Sequence, residues 1–144
     1  MRALFDVNFL IALFDPDHVF HERSHDWWKA NLTSGWASCP LTENGVVRIM
    51  SNPNYSKKAH FTHGDIITRL EKFADNTDHE FWPDEISLRD KAIFDRNRLH
   101  TSHQLTDLYL LALATKNNGR LVTFDTAIPL SAVMGAQNSN LCVP

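Results

Sequence analysis

Short apolar runs alternate along the chain with longer stretches of helical periodicity, and this alternation predicts strands and helices in turn. RALFDV at 2–7 predicts a strand, and NFLIALFD after it predicts a short helix. That helix should end near Asp15-Pro16, because proline disfavours helix in the residue before it. HVFHERSHDWWKANL at 18–32 has helical spacing, and WASC at 36–39 predicts a short strand.

The middle of the chain continues this alternation. PLTENGVVRIMSN at 40–52 predicts a helix, and NPNYSKKAH at 52–60 predicts a polar, basic loop rich in turn-forming residues. THGDIITRLEKFADN at 62–76 fits an amphipathic helix. HEFWPDE at 79–85 suggests a strand, and SLRDKAIFDRNR at 87–98 predicts a further helix.

The clearest pattern lies in residues 103–125. A helix rich in Leu and Ala should end at Asn117-Asn118-Gly119, and the strand RLVTF should follow it and run into Asp125. Strands that alternate with helices indicate an α/β fold, here with a mostly parallel central sheet flanked by helices on both faces. We expect one domain over residues 1–144, a length typical of a single domain.

Composition narrows the class of protein. The chain is 43% hydrophobic and 22% charged, which is ordinary for a globular domain. No apolar run approaches the ~20 residues of a membrane span, and residues 1–15 lack the features of a signal peptide. We therefore predict a cytoplasmic protein without a membrane contact. Cys39 and Cys142 lack metal-type spacing, which favours free thiols over a disulfide.

Four acids interrupt the apolar pattern. Asp6 and Asp125 follow the first and last predicted strands, and Glu43 and Asp107 lie near the starts of two helices. In open α/β sheets these positions face one crevice. Each acid alone could be a helix cap or a first-turn acid. Together they would repel one another, which a divalent cation would compensate.

Magnesium is the cation that best fits such a set of oxygen ligands. It keeps several waters and uses one or two carboxylates directly, and we expect Asp6 and Asp107 to be those ligands. A metal held in this way activates water and supports phosphodiester hydrolysis. The carboxylates would then have a catalytic purpose.

The charge of the chain permits a polyanionic substrate. The formal net charge is −3, but 14 Lys and Arg face only 13 other Asp and Glu once those four acids are set aside. Arg48, Lys57, Lys58 and Arg69 lie in one central stretch, where they could contact phosphates or simply form a solvated face.

Several motifs now resemble one family. DVNFLIAL, the glutamate of LTENG, TDLYLLALA and LVTFD resemble the PIN-domain ribonucleases. DPDHVFHERSH, WASCPLTENGVVRIMSNPNY and ISLRD are similar to the VapC toxins of bacterial toxin–antitoxin modules, and the resemblance runs over about residues 1–130.

The resemblance implies an activity and partners. Asp6, Glu43, Asp107 and Asp125 would form the catalytic cluster that binds Mg²⁺, or Mn²⁺ in its place, and cleaves structured RNA such as tRNA or ribosomal RNA. It also implies a VapB-type antitoxin whose C-terminal segment occupies the groove, and homodimers that can pair into larger complexes. The toxin would act in the bacterial cytoplasm.

Further residues are expected to assist. Asn8 should support the site by hydrogen bonding, with Thr123 and Thr106 in similar roles. Some relatives carry another acid beside the third one, where this chain has Thr106, so the number of metal ions stays open. Candidate RNA contacts outside the cluster share a basic side chain: Lys57, Lys58, Arg48 and His103.

Other metal sites and other functions are alternatives to this one. His21 and His25, four residues apart, could bind a metal but lack a partner acid, so packing is favoured. Trp27, Trp28 and Trp36 fit core or dimer packing better than base stacking. An aspartate-based phosphatase or phosphotransferase would want a second aspartate two residues after Asp6, where the chain has Asn8. A catalytically inactive binding module is the other alternative.

Overall fold

A computed structural model describes residues 1–144 and contains a five-stranded sheet in the order β3-β2-β1-β4-β5. Every neighbouring pair of strands is parallel. The strands are β1 (Ala3–Phe5), β2 (Trp36–Ser38), β3 (His79–Phe81), β4 (Arg120–Val122) and β5 (Leu141–Cys142). The helices are α1 (Val7–Phe14), α2 (His21–Asn31), α3 (Pro40–Met50), α4 (His63–Asp75) and α5 (Leu105–Lys116). No helix combines the length and the apolar character needed to cross a membrane.

Helices cover both faces of the sheet, as the alternation in the sequence predicts. Successive strand residues point to opposite faces. Leu4 and Leu121 belong to a buried cluster with α5, whereas Phe5 and Val122 belong to a second cluster with residues of α1, α2, α3 and α4. Both faces are therefore apolar, which explains why the strands have continuous hydrophobic runs. The predicted α/β fold with a parallel sheet is confirmed.

The strand order places a crevice beside β1. β2 and β3 extend the sheet on one side of β1, and β4 and β5 extend it on the other. The chain segments that follow β1 and β4 therefore lead to opposite sides of the sheet. In open parallel sheets, ligands bind at such a point, outside the carboxyl ends of the strands. Asp6 directly follows β1, and Asp125 lies three residues after the end of β4.

The end of α5 follows the stop signal in its sequence. Asn118 has a φ of 55°, in the left-handed region that asparagine tolerates. The next residue, Gly119, donates its N–H to the carbonyl of Ala114 at 2.8 Å. This turn aims the chain into β4, whose residues pair with β1 from Ala3↔Arg120 to Phe5↔Val122.

The predicted helix over 87–98 is wrong. The segment forms turns and one short 3-10 helix at Arg96–Arg98. The Asp90 carboxylate accepts the N–H of Ala92, a local bond that competes with helix formation. Phe94 forms an isolated antiparallel bridge with Val133, so the backbone here bonds to the C-terminal region. Long-range pairing overrides the helical periodicity.

The sequence pattern also missed the last strand. β5 has only two residues, Leu141 and Cys142, which pair with Leu121 and Val122. A two-residue strand carries no periodicity that could reveal it. Both cysteines are free thiols, as predicted.

Gly45 lets α3 approach α1 closely, and its replacement by alanine is expected to destabilise the protein. A Cβ at this position would lie 2.5 Å from Cγ2 of Val7. This overlap should cost about 1–3 kcal/mol, so we expect Gly45→Ala to lower the free energy of unfolding. The ~1 kcal/mol by which alanine favours a helix over glycine offsets part of that cost, so the net loss should be up to about 2 kcal/mol. Urea unfolding measures the difference.

Gly64→Ala is the matched control for this prediction. Gly64 lies in the first turn of α4, where a Cβ would meet only Oγ1 of Thr62, at 3.8 Å. Without an overlap, this substitution should be neutral or slightly stabilising. If Gly45→Ala were as stable as the parent, the close approach of Val7 would not limit residue size here. Recovery of stability in Gly45→Ala with Val7→Ala would identify the contact directly.

Candidate active site

Asp6 caps the helix that follows the central strand. Its Oδ1 accepts the N–H of Val7 at 2.7 Å, and its Oδ2 accepts the hydroxyl of Thr123 at 2.6 Å. The residue is only 5% exposed. Burial raises the pKa of the Asp6 carboxyl above its ordinary value, and the nearby Asp125 adds to the rise, whereas the two hydrogen bonds oppose it. The Asp6 carboxylate is thus buried at the edge of the sheet where the carboxyl ends of the strands lie.

Thr123 connects the ends of β1 and β4. Its hydroxyl donates to Asp6 and accepts the side-chain amide of Asn8 at 3.2 Å and the N–H of Asp125 at 3.1 Å. The Asn8 side-chain oxygen in turn accepts the N–H of Phe124 at 3.2 Å. The threonine oxygen therefore uses its one donor and both acceptor positions. Asn8 and Thr123 thus form hydrogen bonds beside Asp6, and their supporting role in catalysis stays a prediction.

Asp107 and Asp125 complete an acidic group with Asp6. Asp107 lies in the first turn of α5. The pKa of its carboxyl is raised to about 7, first by burial, then by the charge of Asp6 and by a hydrogen bond with Asp125 and its charge. Asp125 also accepts the N–H of Ala127 at 2.8 Å. Three of the four predicted acids are thus brought near one another.

Glu43 is held by a different set of contacts. It lies in the first turn of α3, and its Oε1 accepts the hydroxyl of Ser38 at 2.6 Å. The Ser38 oxygen lies 2.8 Å from Nε2 of His79. Because the single hydroxyl proton is donated to the carboxylate, Nε2 of His79 must carry the hydrogen that it shares with Ser38. A chain of hydrogen bonds therefore runs from β3 through β2 to Glu43.

Sequence reasoning did not single out Ser38 or His79. Ser38 is fully buried, and burial lowers the pKa of His79 below its ordinary value, with a further reduction from Arg2. Opposing this, the charge of Glu43 raises the pKa of His79. The only signal in the sequence was a polar residue at the end of the strand WAS, five residues before Glu43.

A cleft of about 420 Å³ opens beside the acids. Asp6 and Asp107 line it together with Asn8 and Thr106. Arg48, in the last turn of α3, also lines the cleft. Of the predicted RNA contacts, only Arg48 reaches this cleft, whereas Lys57 and Lys58 line a separate cavity and His103 is exposed outside both.

The donor chemistry of the cleft fits a hard divalent cation. Carboxylate oxygens are the ligands that Mg²⁺ and Mn²⁺ prefer, and Mg²⁺ needs only one or two of them beside its waters. No three acid, histidine or cysteine side chains stand together as a preformed metal-binding group. Asp6, Asp125 and Glu43 instead direct oxygens to Thr123, Ala127 and Ser38. Burial raises the pKa of Asp107 most, and the charges of Asp6 and Asp125 raise it further; a cation would compensate those charges.

The histidines and tryptophans considered earlier have structural contacts. His21 and His25 bond to the carbonyls of Ala12 and Leu13, near the end of α1, at 2.7 and 3.0 Å. Trp28 and Trp36 are buried, and Trp27 packs against that core. Packing, as predicted, accounts for the contacts of these side chains.

Comparison with known families identifies the class of protein. The PIN domain family matches residues 3–133, a range that contains all four acids and the strands β1 to β4. The match covers most of the chain, and the chain belongs to the PIN-domain family.

Individual relatives narrow this assignment. The chain is 48% identical over 141 residues to Ribonuclease VapC44 of Mycobacterium tuberculosis (strain ATCC 25618 / H37Rv), covering 98% of both chains. It is 41% identical over 135 residues to Ribonuclease VapC39 of the same strain, covering 94% of this chain and 96% of the relative. Ribonuclease VapC38 of the same strain is 40% identical over 126 residues, covering 88% of this chain and 86% of the relative. Within the PIN-domain family, the chain is of the VapC type.

Proposed function

We propose that this protein is a metal-dependent endoribonuclease toxin that hydrolyses phosphodiester bonds in structured RNA, tRNA or ribosomal RNA. The observation that carries the proposal is the approach of Asp6, Asp107 and Asp125 to one another at the carboxyl edge of the sheet. Its VapC relatives, which match nearly the full chain, are named ribonucleases. The cleft lined by Asp6 and Asp107 gives a substrate access to these two acids.

Asp6 and Asp107 are the proposed inner ligands of Mg²⁺, with Mn²⁺ as its substitute. The bound ion would lower the pKa of a water and stabilise charge on the phosphate oxygens. Thr123 fixes the orientation of Asp6 by its 2.6 Å hydrogen bond. Asp125 lies beside Asp107 and adds its negative charge to the group. Glu43 is the fourth proposed catalytic acid. Thr106, at the cleft wall, is proposed to support the same site.

A phosphotransferase mechanism fits the geometry less well. In its common form, that chemistry uses a nucleophilic aspartate with a second aspartate two residues on, which acts as acid and base. The residue two positions on is Asn8, whose side chain is bonded to Thr123 and Phe124 and cannot act as an acid. An inactive binding module would have no need of the mutually repelling acids that raise the pKa of Asp107.

The proposed partners follow from the VapC type. A cognate VapB-type antitoxin would neutralise the activity by covering the cleft, in the bacterial cytoplasm. We also propose a homodimer that can join larger complexes with the antitoxin. Gel filtration with light scattering, with and without antitoxin, measures the assembly.

End-mapping of cellular RNA tests the proposed activity. Total RNA is incubated with the purified, antitoxin-free protein in Mg²⁺ or in chelator, beside Asp107→Asn prepared in the same way. Discrete cuts that require both the metal and Asp107 would establish the endoribonuclease and identify its target. A folded protein that binds Mn²⁺ but makes no metal-dependent cuts would refute the proposal.

Ser38→Ala is expected to reduce RNA cleavage by about tenfold, because loss of a group that orients a metal-site residue typically costs 10–100-fold. The substitution removes the hydroxyl that holds Glu43 at 2.6 Å. Ser24→Ala is the control, since Ser24 is also fully buried and its hydroxyl donates to the carbonyl of His21, in α2. Initial cleavage rates and Mn²⁺ titration measure the effect. Equal losses in both variants would contradict the orienting role of Ser38.

A further inference from the structure

Three cavities adjoin one another and lead away from the acids. The cleft beside Asp6 and Asp107 shares Arg48 and Ile49 with a cavity of about 190 Å³. That second cavity shares Tyr55 with a third, of about 460 Å³, which is lined by Lys57 and Lys58. We call this series of cavities the basic groove. It connects the acidic site with the loop at residues 52–60.

The cations of the basic groove are free to bind an anion. Arg48, Lys57 and Lys58 form no ion pair, and their side chains donate no hydrogen bond within the protein. Asp15 lines the third cavity, but its oxygens already accept the Tyr55 hydroxyl and the N–H of Asp17. The Asp17 carboxylate is therefore the one acid of the outer groove without such a bond. The two outer cavities together are lined by three cations and two acids, a small net positive charge.

The loop that carries the lysines is held in place. The Tyr55 hydroxyl donates to Asp15, the residue that ends α1, and the Tyr55 ring packs against the apolar cluster beneath. Asn52 accepts the N–H of Asn54 at 2.9 Å, and Ser56 accepts the N–H of Lys58 at 3.1 Å. These bonds fix the turns on each side of Tyr55. The backbone that carries Lys57 and Lys58 is thus formed before any ligand binds.

We propose that the basic groove binds a single RNA strand that flanks the scissile phosphate. This inference rests on the proposed function, because the groove starts at the acids that would act on that phosphate. Arg48 would contact a phosphate next to the acids, and Lys57 and Lys58 would contact phosphates farther along the strand. Proteins recognise structured RNA mostly at single-stranded loops, bulges and ends, which favours a single strand over a duplex here.

This surface should contribute affinity more than base selection. Lys and Arg contacts with phosphates position a nucleic acid without reading its sequence. Each phosphate contact on a single strand also contributes about 0.7 to the slope of log affinity against log salt concentration. Removal of Lys57 and Lys58 should therefore weaken RNA binding and lower that slope by about 1.4. The effect should vanish for an RNA too short to reach the loop.

The experiment measures RNA binding in an Asp107→Asn background, which keeps the probe intact. The probe is a fluorescent RNA that spans the mapped cleavage site with about ten nucleotides on each side, beside a truncated version of a few nucleotides. Lys57→Ala with Lys58→Ala is compared with Lys29→Ala with Lys72→Ala. The control lysines are exposed, without ion pairs, on α2 and α4. Tyr55→Phe separately removes the hydroxyl anchor.

For the long probe, the Lys57/Lys58 variant is expected to bind at least about tenfold more weakly than the parent. Its slope of log affinity against log salt concentration should also be lower. The control pair should bind as the parent does, and Tyr55→Phe should show a smaller loss. Equal affinity and slope in the two lysine pairs would overturn the inference and leave the proposed function standing. Retained RNA binding with loss of antitoxin binding would also overturn it, in favour of a protein ligand. A parent that binds no RNA at all would refute both.

Discussion

Asp107→Asn is expected to lower the rate of RNA cleavage by on the order of 10³-fold, as loss of a charged group in a preorganised site typically does. The substitution keeps the size of the side chain and removes its charge. Asp107 lines the cleft and lies beside Asp6 and Asp125. Initial rates on the mapped RNA, at saturating substrate, measure the loss. An unchanged rate would show that Asp107 does not belong to the catalytic group.

The same substitution should stabilise the fold. The pKa of the Asp107 carboxyl is raised to about 7, so its charged form is unfavourable in the folded protein. Stability should therefore fall as the pH rises from the unfolded pKa, near 4, to about 7, and remain low above it. In chelator at pH 8, Asp107→Asn should raise Tm by a few degrees, and the gain should shrink towards pH 4.

Asp26→Asn is the control for this stability effect. Asp26 is an exposed acid of α2 without an ion pair or a side-chain hydrogen bond. Its replacement changes the net charge of the protein by the same amount but relieves no local repulsion. Equal gains in Tm for both variants would show that overall charge, rather than the neighbours of Asp107, determines the effect. Loss of activity with a gain in stability is typical of an active-site residue.

Removal of the metal ion is expected to have a large effect on RNA cleavage. Chelation should abolish RNA cleavage, and restored Mg²⁺ or Mn²⁺ should recover it. Because Asp107 has a pKa of about 7, protons and metal should compete for its carboxylate. The apparent Mn²⁺ affinity should then fall by about tenfold for each pH unit below 7. Calorimetric titrations at about pH 5.5, 6.5 and 7.5 measure this dependence, because these values lie on both sides of the pKa.

Asp107→Asn provides the control for the competition. It should bind Mn²⁺ more weakly than the parent, with less dependence on pH in this range. An affinity for the parent that is constant from pH 5.5 to 7.5 would contradict Asp107 as a ligand. Cleavage that persists in chelator would refute metal dependence altogether.

Local sequence determined the acidic part of the site, whereas the contacts around it depend on tertiary structure. Asp6 and Asp125 follow apolar strands, and parallel strands present their carboxyl ends at one edge, so their proximity could be predicted. The bond between Ser38 and His79 joins residues 41 positions apart and requires β2 and β3 to be neighbours. No local pattern contains that information.

The errors in secondary structure have the same physical origin. Residues 87–98 have helical spacing, but Phe94 pairs with Val133 and its neighbours bond to the same C-terminal segment. β5 exists only because Leu121 and Val122 offer it an edge for pairing. Both features are determined by distant residues, whereas α5 and β4 each contain enough apolar residues to be recognised alone.

The Thr123 bridge has a consequence for how this protein can diversify. It ties the ends of two adjacent strands, whose separation is fixed at about 4.8 Å by backbone pairing. The spacing between Asp6 and the residues after β4 is therefore a property of the sheet. The loops at 52–60 and 82–101 carry none of the four acids. Insertions or substitutions there leave the strand ends next to Asp6 and Asp125 in place, so the outer surface can change while the proposed catalytic site keeps its geometry.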